Sequence, residues 1–317
     1  MRTVNETNDS IEIRELIKSY GNIKAVDGLT LNIAKGQIFG FLGPNGAGKT
    51  TTMRMIAGLT KPDSGDIYLA GRRVVFGGKS GREKLGFLPD VPECYGYMNV
   101  REFLEMCAML QGYTRAEARV RADEMIELTG LTGVNKRIGA YSRGMKQRAG
   151  IAQALIHDPD IVLMDEPVSA LDPEGRYDVI EILKKLKGNK TVFISSHIIS
   201  DVEKICDSVA VINKGKLIES GPVSAIKDKY DNRTIIFGLP VWTVREKIGR
   251  FEAMLRNSDW CEDVSVDQTN HYRIKVTNRS TAQLALPGIF ASNEIPVEYI
   301  DSVTTSLEDI FLEVIHK

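Results

Sequence analysis

The stretch IFGFLGPNGAGKTTTMRMIAGL, residues 38–59, constrains this chain more than any other. An apolar run feeds a glycine-rich loop, and the loop feeds an apolar-periodic segment that ends near Gly58. That pattern reads as strand, loop, helix, with Gly58 as a C-cap. The loop GPNGAGKTT, residues 43–51, matches G-x-x-x-x-G-K-[ST]. Gly43, Gly46 and Gly48 let the backbone wrap closely, with its N–H groups turned inward around phosphates. Pro44, Asn45, Ala47 and Thr51 complete the cradle. Lys49 reaches the β- and γ-phosphates, and the Thr50 hydroxyl suits Mg²⁺.

A second element of the same kind is IVLMDEP, residues 161–167. Four apolar residues make a buried strand that delivers Asp165 and Glu166 to its C-terminal end. Asp165 suits an outer-sphere grip on the Mg²⁺ set by Thr50. Glu166 suits a general base on an attacking water. Further short apolar runs (KLGFLPD, KTVFISSH, SVAVINKGKLIESG) alternate with helical periods, which predicts a buried parallel core. Residues from about 98 to 158 are helical throughout and form an insertion between two halves of this α/β domain. The insertion ends in YSRGMKQRAGIAQALI, residues 141–156, a serine–glycine turn opening a helix. Such a turn presents N–H groups and a hydroxyl to an anion, so the chain carries two phosphate-holding devices about a hundred residues apart.

The chain changes character near Tyr230. Beyond it the pattern predicts strand RTIIFGL, helix VWTVREKIGRFEAML, strands DVSVD and HYRIKV, helix STAQLALPGIFASN and strand PVEYIDSV. That is the β-α-β-β-α-β order of a ferredoxin-like α+β domain. Pro287 interrupts the second helical pattern. A last helix, TSLEDIFLEVI, has an apolar stripe at Leu307, Ile310, Phe311 and Val314, and Thr305 with Glu308 fits a capping box. The expected domains are residues 11–228 and 232–317, the second either an appendage that stabilises the first or a regulatory module.

Composition narrows the function. The chain has 317 residues, with 41 basic against 42 acidic side chains and a net charge of -1, which gives no positive surface for nucleic acid. The four cysteines are widely spaced and form no C-x-x-C pair, so they read as reduced thiols rather than as a metal site or a disulfide framework. No run approaches the roughly 20 apolar residues that span a bilayer. The polar start MRTVNETNDS does not read as a signal peptide.

Across residues 11–228 these motifs, in this order, resemble the ATP-binding subunit of an ATP-binding cassette (ABC) transporter. The resemblance implies a P-loop NTPase core and an ATPase using ATP and Mg²⁺. It implies that Tyr20, in SYGNIKAVDGL, stacks on adenine. YSRGMKQR is similar to the family's signature motif, L-S-G-G-Q, and keeps Ser142 and Gly144 while placing Tyr141, Arg143 and Met145 at the other positions. SALD, residues 169–172, is similar to the D-loop, and His197, in ISSHIISDVEKICD, to the switch histidine on the γ-phosphate. The catalytic set so implied is Lys49, Glu166 and His197. Asp90 stands where the family's Q-loop has glutamine; a carboxylate there can face Mg²⁺ or accept from water but cannot donate as an amide does. The family geometry also implies that Ser142 and Gly144 meet ATP held by a second subunit. The partners implied are thus a second copy, or a related ATPase subunit in a pseudo-dimer, and an integral-membrane permease, at the cytoplasmic face of the membrane. SLEDIFLEVI resembles the ending of drug- and antibiotic-resistance exporter subunits, which leans the direction towards export. The alternative is a soluble, non-transport ABC ATPase acting on a macromolecular partner.

Overall fold

A computed structural model describes residues 9–78, 82–231, 233–267, 269–303 and 305–316. The N-terminal residues 1–8, on which the signal-peptide reading rests, lie outside the described residues. The chain divides into two compact units, residues 1–223 with 311–317, and residues 224–310.

The first unit opens on a long hairpin, β1 (Asp9–Tyr20) and β2 (Ile23–Ala34), turned by Gly21 and Asn22. β3 (Ile38–Leu42) is buried along its whole length and runs into the phosphate loop and α1 (Lys49–Ile56). β4 (Ser64–Leu69) and the two-residue β5 (Arg72–Arg73) then close a small antiparallel sheet of order β2-β1-β4-β5. β6 (Leu85–Leu88) leads into the helical insertion. There α2 (Val100–Leu110) and α3 (Arg115–Leu128) each start with a capping box, Asn99 with Glu102 and Thr114 with Glu117. A short 3-10 turn (Ile138–Ala140) precedes α4 (Arg143–Leu155). The chain returns through β7 (Ile161–Asp165), α5 (Pro173–Leu186), β8 (Thr191–Ser196), α6 (Ile199–Ile205), β9 (Ser208–Asn213), β10 (Lys216–Pro222) and α7 (Val223–Lys229).

The central sheet has the order β10-β9-β3-β8-β7-β6. All its pairs are parallel except β9 with β10. This is the expected parallel core: Phe39, Phe41, Leu163 and Phe193 on one face pack in a single cluster with α1 and with β1, β2 and β4 of the antiparallel sheet. Phe39 and Phe41 of β3 pack on Phe193 of β8, at centroid distances of 5.8 and 5.2 Å. The sheet order decides where the chemistry lies. β3, β8 and β7 are neighbours in register, with Leu42 beside Ser196 and Asp165 beside Ser195. The phosphate loop, Asp165, Glu166 and His197 therefore leave the carboxyl edge of three adjacent strands, where ligands of open α/β sheets bind.

The second unit begins within α7 and continues through β11 (Thr234–Gly238), α8 (Arg245–Arg256), β12 (Cys261–Val266), β13 (His271–Val276), α9 (Arg279–Ser292) and β14 (Tyr299–Val303). The element order matches the expectation, and the sheet β12-β13-β11-β14 is antiparallel throughout. Its core is aromatic: Phe237 stacks on Tyr272 at 4.9 Å and Phe251 on Phe290 at 5.1 Å. Burial and the acceptor Glu252 push the Tyr272 hydroxyl well above its ordinary pKa.

Three local expectations shift. α8 starts at Arg245 rather than Val241, because Thr243 closes a turn on the Pro240 carbonyl (Oγ1 to O 2.7 Å) before the helix begins. α9 continues through Pro287, although proline costs a helical hydrogen bond. The buried Leu286 and Phe290, on either side of it, hold the helix on the core. The last helix, α10 (Leu307–His316), is boxed by Ser306 and Asp309 rather than Thr305 and Glu308. Thr305 instead donates its hydroxyl to the Tyr230 carbonyl at 3.2 Å. Leu307, Ile310 and Val314 of the expected stripe are buried.

Candidate nucleotide site

The phosphate loop is held open by backbone. Gly48 caps α1 in a left-handed conformation (φ 106°), and a Cβ there would lie 2.2 Å from the Ala25 carbonyl oxygen of β2. Only glycine passes that point. The loop is pinned from behind, since Gly215 N donates to Ala47 O at 3.0 Å and Asp27 N to Gly215 O at 2.9 Å. No side chain caps the first turn of α1 and none there is acidic, so its N–H groups remain available to an anion. Thr50, at the second helical position, is exposed, and Thr51 is half-buried. Thr52 turns inward and donates to the Gly48 carbonyl at 2.9 Å.

Lys49 is 6% exposed and folds back over the loop. Its ammonium donates to Gly43 O at 2.7 Å and Pro44 O at 3.3 Å, and lies 3.6 Å from Glu166 Oε1. Glu166 has a left-handed backbone (φ 51°), which turns the chain sharply at the end of β7. Its other oxygen, Oε2, is 2.8 Å from His197 Nδ1. A carboxylate only accepts, so Nδ1 carries the proton in this contact. Lys49, Glu166 and His197 thus form one continuous polar chain across the carboxyl edge of the sheet. The two residues expected to act separately, Glu166 on water and His197 on phosphate, are bonded to each other.

Asp165 is 2% exposed, and its Oδ1 accepts from Ser195 Oγ at 2.5 Å. Ser195 Oγ in turn accepts from Glu166 N at 3.0 Å. Ser195 is therefore the clamp that fixes both acidic residues, and sequence reasoning passed over it. The signal was a serine in the fully buried run TVFISS, where a polar group needs a partner. Ser195→Ala strips Asp165 of its donor and Glu166 N of a side-chain acceptor. It should lower stability by about 1–3 kcal/mol, read from the urea midpoint.

The remaining expected residues occupy the surroundings. Tyr20 ends β1 with an exposed ring, and Lys18 Nζ sits 5.4 Å from its centroid. Its hairpin continues into Ala25, which backs Gly48. Asp90 is exposed, two residues past Leu88, which pairs with Met164 of β7. Ser142 caps α4, accepting from Met145 N at 3.2 Å, and Gly144 meets Gly175 at the start of α5, where an added Cβ would be 3.6 Å from the Gly175 Cα. Ser142 and Arg143 are exposed, whereas Tyr141 is buried and fills the apolar position of that motif.

The oxygen donors Thr50 and Asp165, with Asp90 at the adjacent strand end, are of the hard type that Mg²⁺ takes. Among the described residues no group of three or more His, Cys, Asp or Glu side chains forms a ready-made metal cage.

Comparisons with known proteins agree with this geometry. Residues 26–169 match the family model described as ABC transporter, and residues 221–315 match the model described as ATP-binding protein DrrA1-3-like, C-terminal domain. The uncharacterized ABC transporter ATP-binding protein YxlF of Bacillus subtilis is 36% identical over 316 residues, covering 96% of this chain and 99% of the relative. The bacitracin transport ATP-binding protein BcrA of Bacillus licheniformis is 37% identical over 308 residues, covering 96% and 97%. Among solved structures, the dimeric ATP-binding cassette MJ0796, in a post-hydrolysis state bound to ADP and Pi, superposes with a TM-score of 0.61 at 27% identity. It covers 67% of this chain and 98% of its own. Family models, full-length relatives and the cassette fold converge: the chain belongs to the ABC transporter ATP-binding proteins, and is an ATPase of that family.

Proposed function

We propose that this chain hydrolyses ATP in a nucleotide-sandwich dimer and so powers transport, in the direction of export, through a separate membrane protein. In this reading residues 11–228 form the ATPase domain and 232–317 an accessory domain. The observation that carries it is the Lys49–Glu166–His197 chain beside the loop N–H groups. The loop N–H groups and Lys49 hold the phosphates, for which Lys49 exchanges its carbonyl acceptors. Tyr20 receives adenine. Thr50 and Asp165, with Asp90, would hold Mg²⁺, which supplies charge neutralisation on the phosphates. Glu166 orients the attacking water and takes its proton, and His197 steadies the γ-phosphate. Steady phosphate release from ATP by the purified chain supports the reading. Tight ATP binding with no release, in the presence and absence of membranes carrying the partner, would leave only a nucleotide-regulated binding module.

In its own chain the exposed Ser142–Arg143 turn caps α4. It is the surface that a two-fold dimer would lay against the partner copy's phosphates, giving two equivalent sites. The dimeric MJ0796 cassette supports this arrangement, and a homodimer or a pseudo-dimer with a related subunit satisfies it equally.

Among the described residues, no helix is long and apolar enough to cross a membrane. In this reading a separate partner supplies the spanning part. We place its docking in a groove of about 540 Å³ between the Pro92–Gly96 strand-end loop and the helical insertion, lined by Cys94, Tyr95, Phe103, Met106 and Leu110. Leu110 and Tyr95 are exposed although large and apolar, a composition typical of interface cores. Burial raises the Cys94 thiol above its ordinary pKa. Its thiolate fraction, and hence maleimide labelling, should climb later with pH than that of a free thiol. Co-assembly with the membrane partner should protect Cys94 and leave Cys261 labelling unchanged. Equal labelling of Cys94 with and without the partner would move the docking site elsewhere.

A further inference from the structure

Asp201 lies in the first turn of α6, four residues after His197, and is 1% exposed. Its Oδ2 has no hydrogen-bond partner, and the charge facing it is Arg176, whose Nε lies 3.4 Å away and is likewise without a hydrogen bond. A buried carboxylate with so loose a partner is a poor source of stability, because desolvation takes most of what the attraction returns. Where such a pair persists, its use is to fix a geometry.

The elements it joins say which geometry. Arg176 is on α5, whose N-cap Asp172 accepts from Gly175 N at 3.1 Å. The same first turn of α5 abuts Gly144 of the Ser142–Gly144 turn, and Asp178, two residues further, pairs with Arg148 of α4 at 3.3 Å. α6, on its other side, follows directly from His197, whose ring is bonded to Glu166. α6 is short, and Ile198 caps it with no side-chain hydrogen bond; its first turn rests on the buried Ile199 and Val202 and on Ser196 Oγ, which accepts from Ile198 N at 2.9 Å, and the Asp201 ion pair adds a charged tie to α5.

We propose that Arg176 and Asp201 are positioning residues for His197: the buried Asp201 carboxylate, paired with the half-exposed Arg176, anchors the first turn of α6 to α5, and so fixes the imidazole against Glu166 and against the helix that follows the D-loop. This rests on the reading of Glu166 and His197 as the hydrolytic pair.

Three variants test it: Arg176→Met, Asp201→Asn and the double variant. Arg176→Met strands a buried charge, so it should lose both stability and turnover. Asp201→Asn leaves no buried charge and an arginine free to turn to solvent, so it should stay folded. The double variant removes the buried charge and its partner together and should recover the thermal midpoint. In all three, kcat should fall roughly ten- to a hundredfold, with KM for ATP within about twofold of the parent, and Arg176→Lys should restore part of the loss. The Cε1–H resonance of His197, assigned by His197→Gln among four histidines, should shift in each variant whether or not the parent turns over. Wild-type chain that binds ATP without hydrolysing it would sink the functional reading, while the resonance still decides the positioning role. Turnover that recovers together with stability in the double variant, or an unmoved His197 resonance in Asp201→Asn, overturns the proposal.

Discussion

Glu166→Gln should lower phosphate release from ATP by about 10²–10⁴-fold, with nucleotide affinity equal to or tighter than that of the parent. The amide keeps the shape of the carboxylate and can still accept from His197 Nδ1, so the 2.8 Å contact has a replacement. The main-chain bonds of residue 166 to Ser195, at 3.0 and 3.2 Å, do not involve the side chain and hold the turn as before. Two things change. The amide cannot take a proton from water, which removes the chemical step. The ion pair with Lys49 at 3.6 Å is also lost, which frees the ammonium for phosphate and sets the sign of the affinity change. Single-turnover phosphate release beside equilibrium binding of a fluorescent nucleotide separates the two effects. Hydrolysis at the parental rate would show that Glu166 is not the base.

Gly48→Ala should have the largest effect on the loop itself. The left-handed backbone at φ 106° costs a residue with a Cβ about 1–3 kcal/mol. The Cβ would also meet the Ala25 carbonyl oxygen at 2.2 Å, and backbone cannot step aside as a flexible side chain can. Overpacking of this kind adds about 1–3 kcal/mol. Gly46→Ala is the internal control: it shares a left-handed backbone (φ 81°) but has nothing within 4 Å of an added Cβ, so it should show the conformational cost alone. Thermal unfolding should rank the parent above Gly46→Ala and Gly46→Ala above Gly48→Ala. Nucleotide binding should be weakest in Gly48→Ala, because the loop must leave β2 to admit the methyl group. Equal midpoints for the two variants would mean that the close approach to Ala25 is not part of the working loop.

Much of this was legible in the chain because local pattern and chemistry coincide there. The glycines of residues 43–48 and the following Lys-Thr have one good use at a strand–helix junction. The run IVLMDEP has the burial of a central strand and puts its carboxylates where a strand ends. The β-α-β-β-α-β order also survived a proline within a helix, because strand alternation carries it rather than helix detail. What sequence left open depends on contacts between distant segments. That β1 and β2 belong to a separate antiparallel sheet follows from pairing with β4, not from their own alternation. The capping box of α10 slipped by one residue, since Thr305–Glu308 and Ser306–Asp309 offer the same spacing and only the fold selects between them. Ser195 and the Arg176–Asp201 pair are invisible to periodicity, because each acquires its meaning from a neighbour brought alongside by the sheet or by helix packing.

Two phosphate-holding devices in one chain serve sites shared between two chains. Light scattering of Glu166→Gln, with and without ATP and Mg²⁺, tests it most directly. The slow variant holds its nucleotide, so the shared site should persist long enough to be weighed. The variant should be a monomer without nucleotide and double its mass at saturating ATP, with the doubling abolished by Ser142→Arg on the exposed turn. A nucleotide-saturated chain that stays monomeric across the concentration range would contradict it.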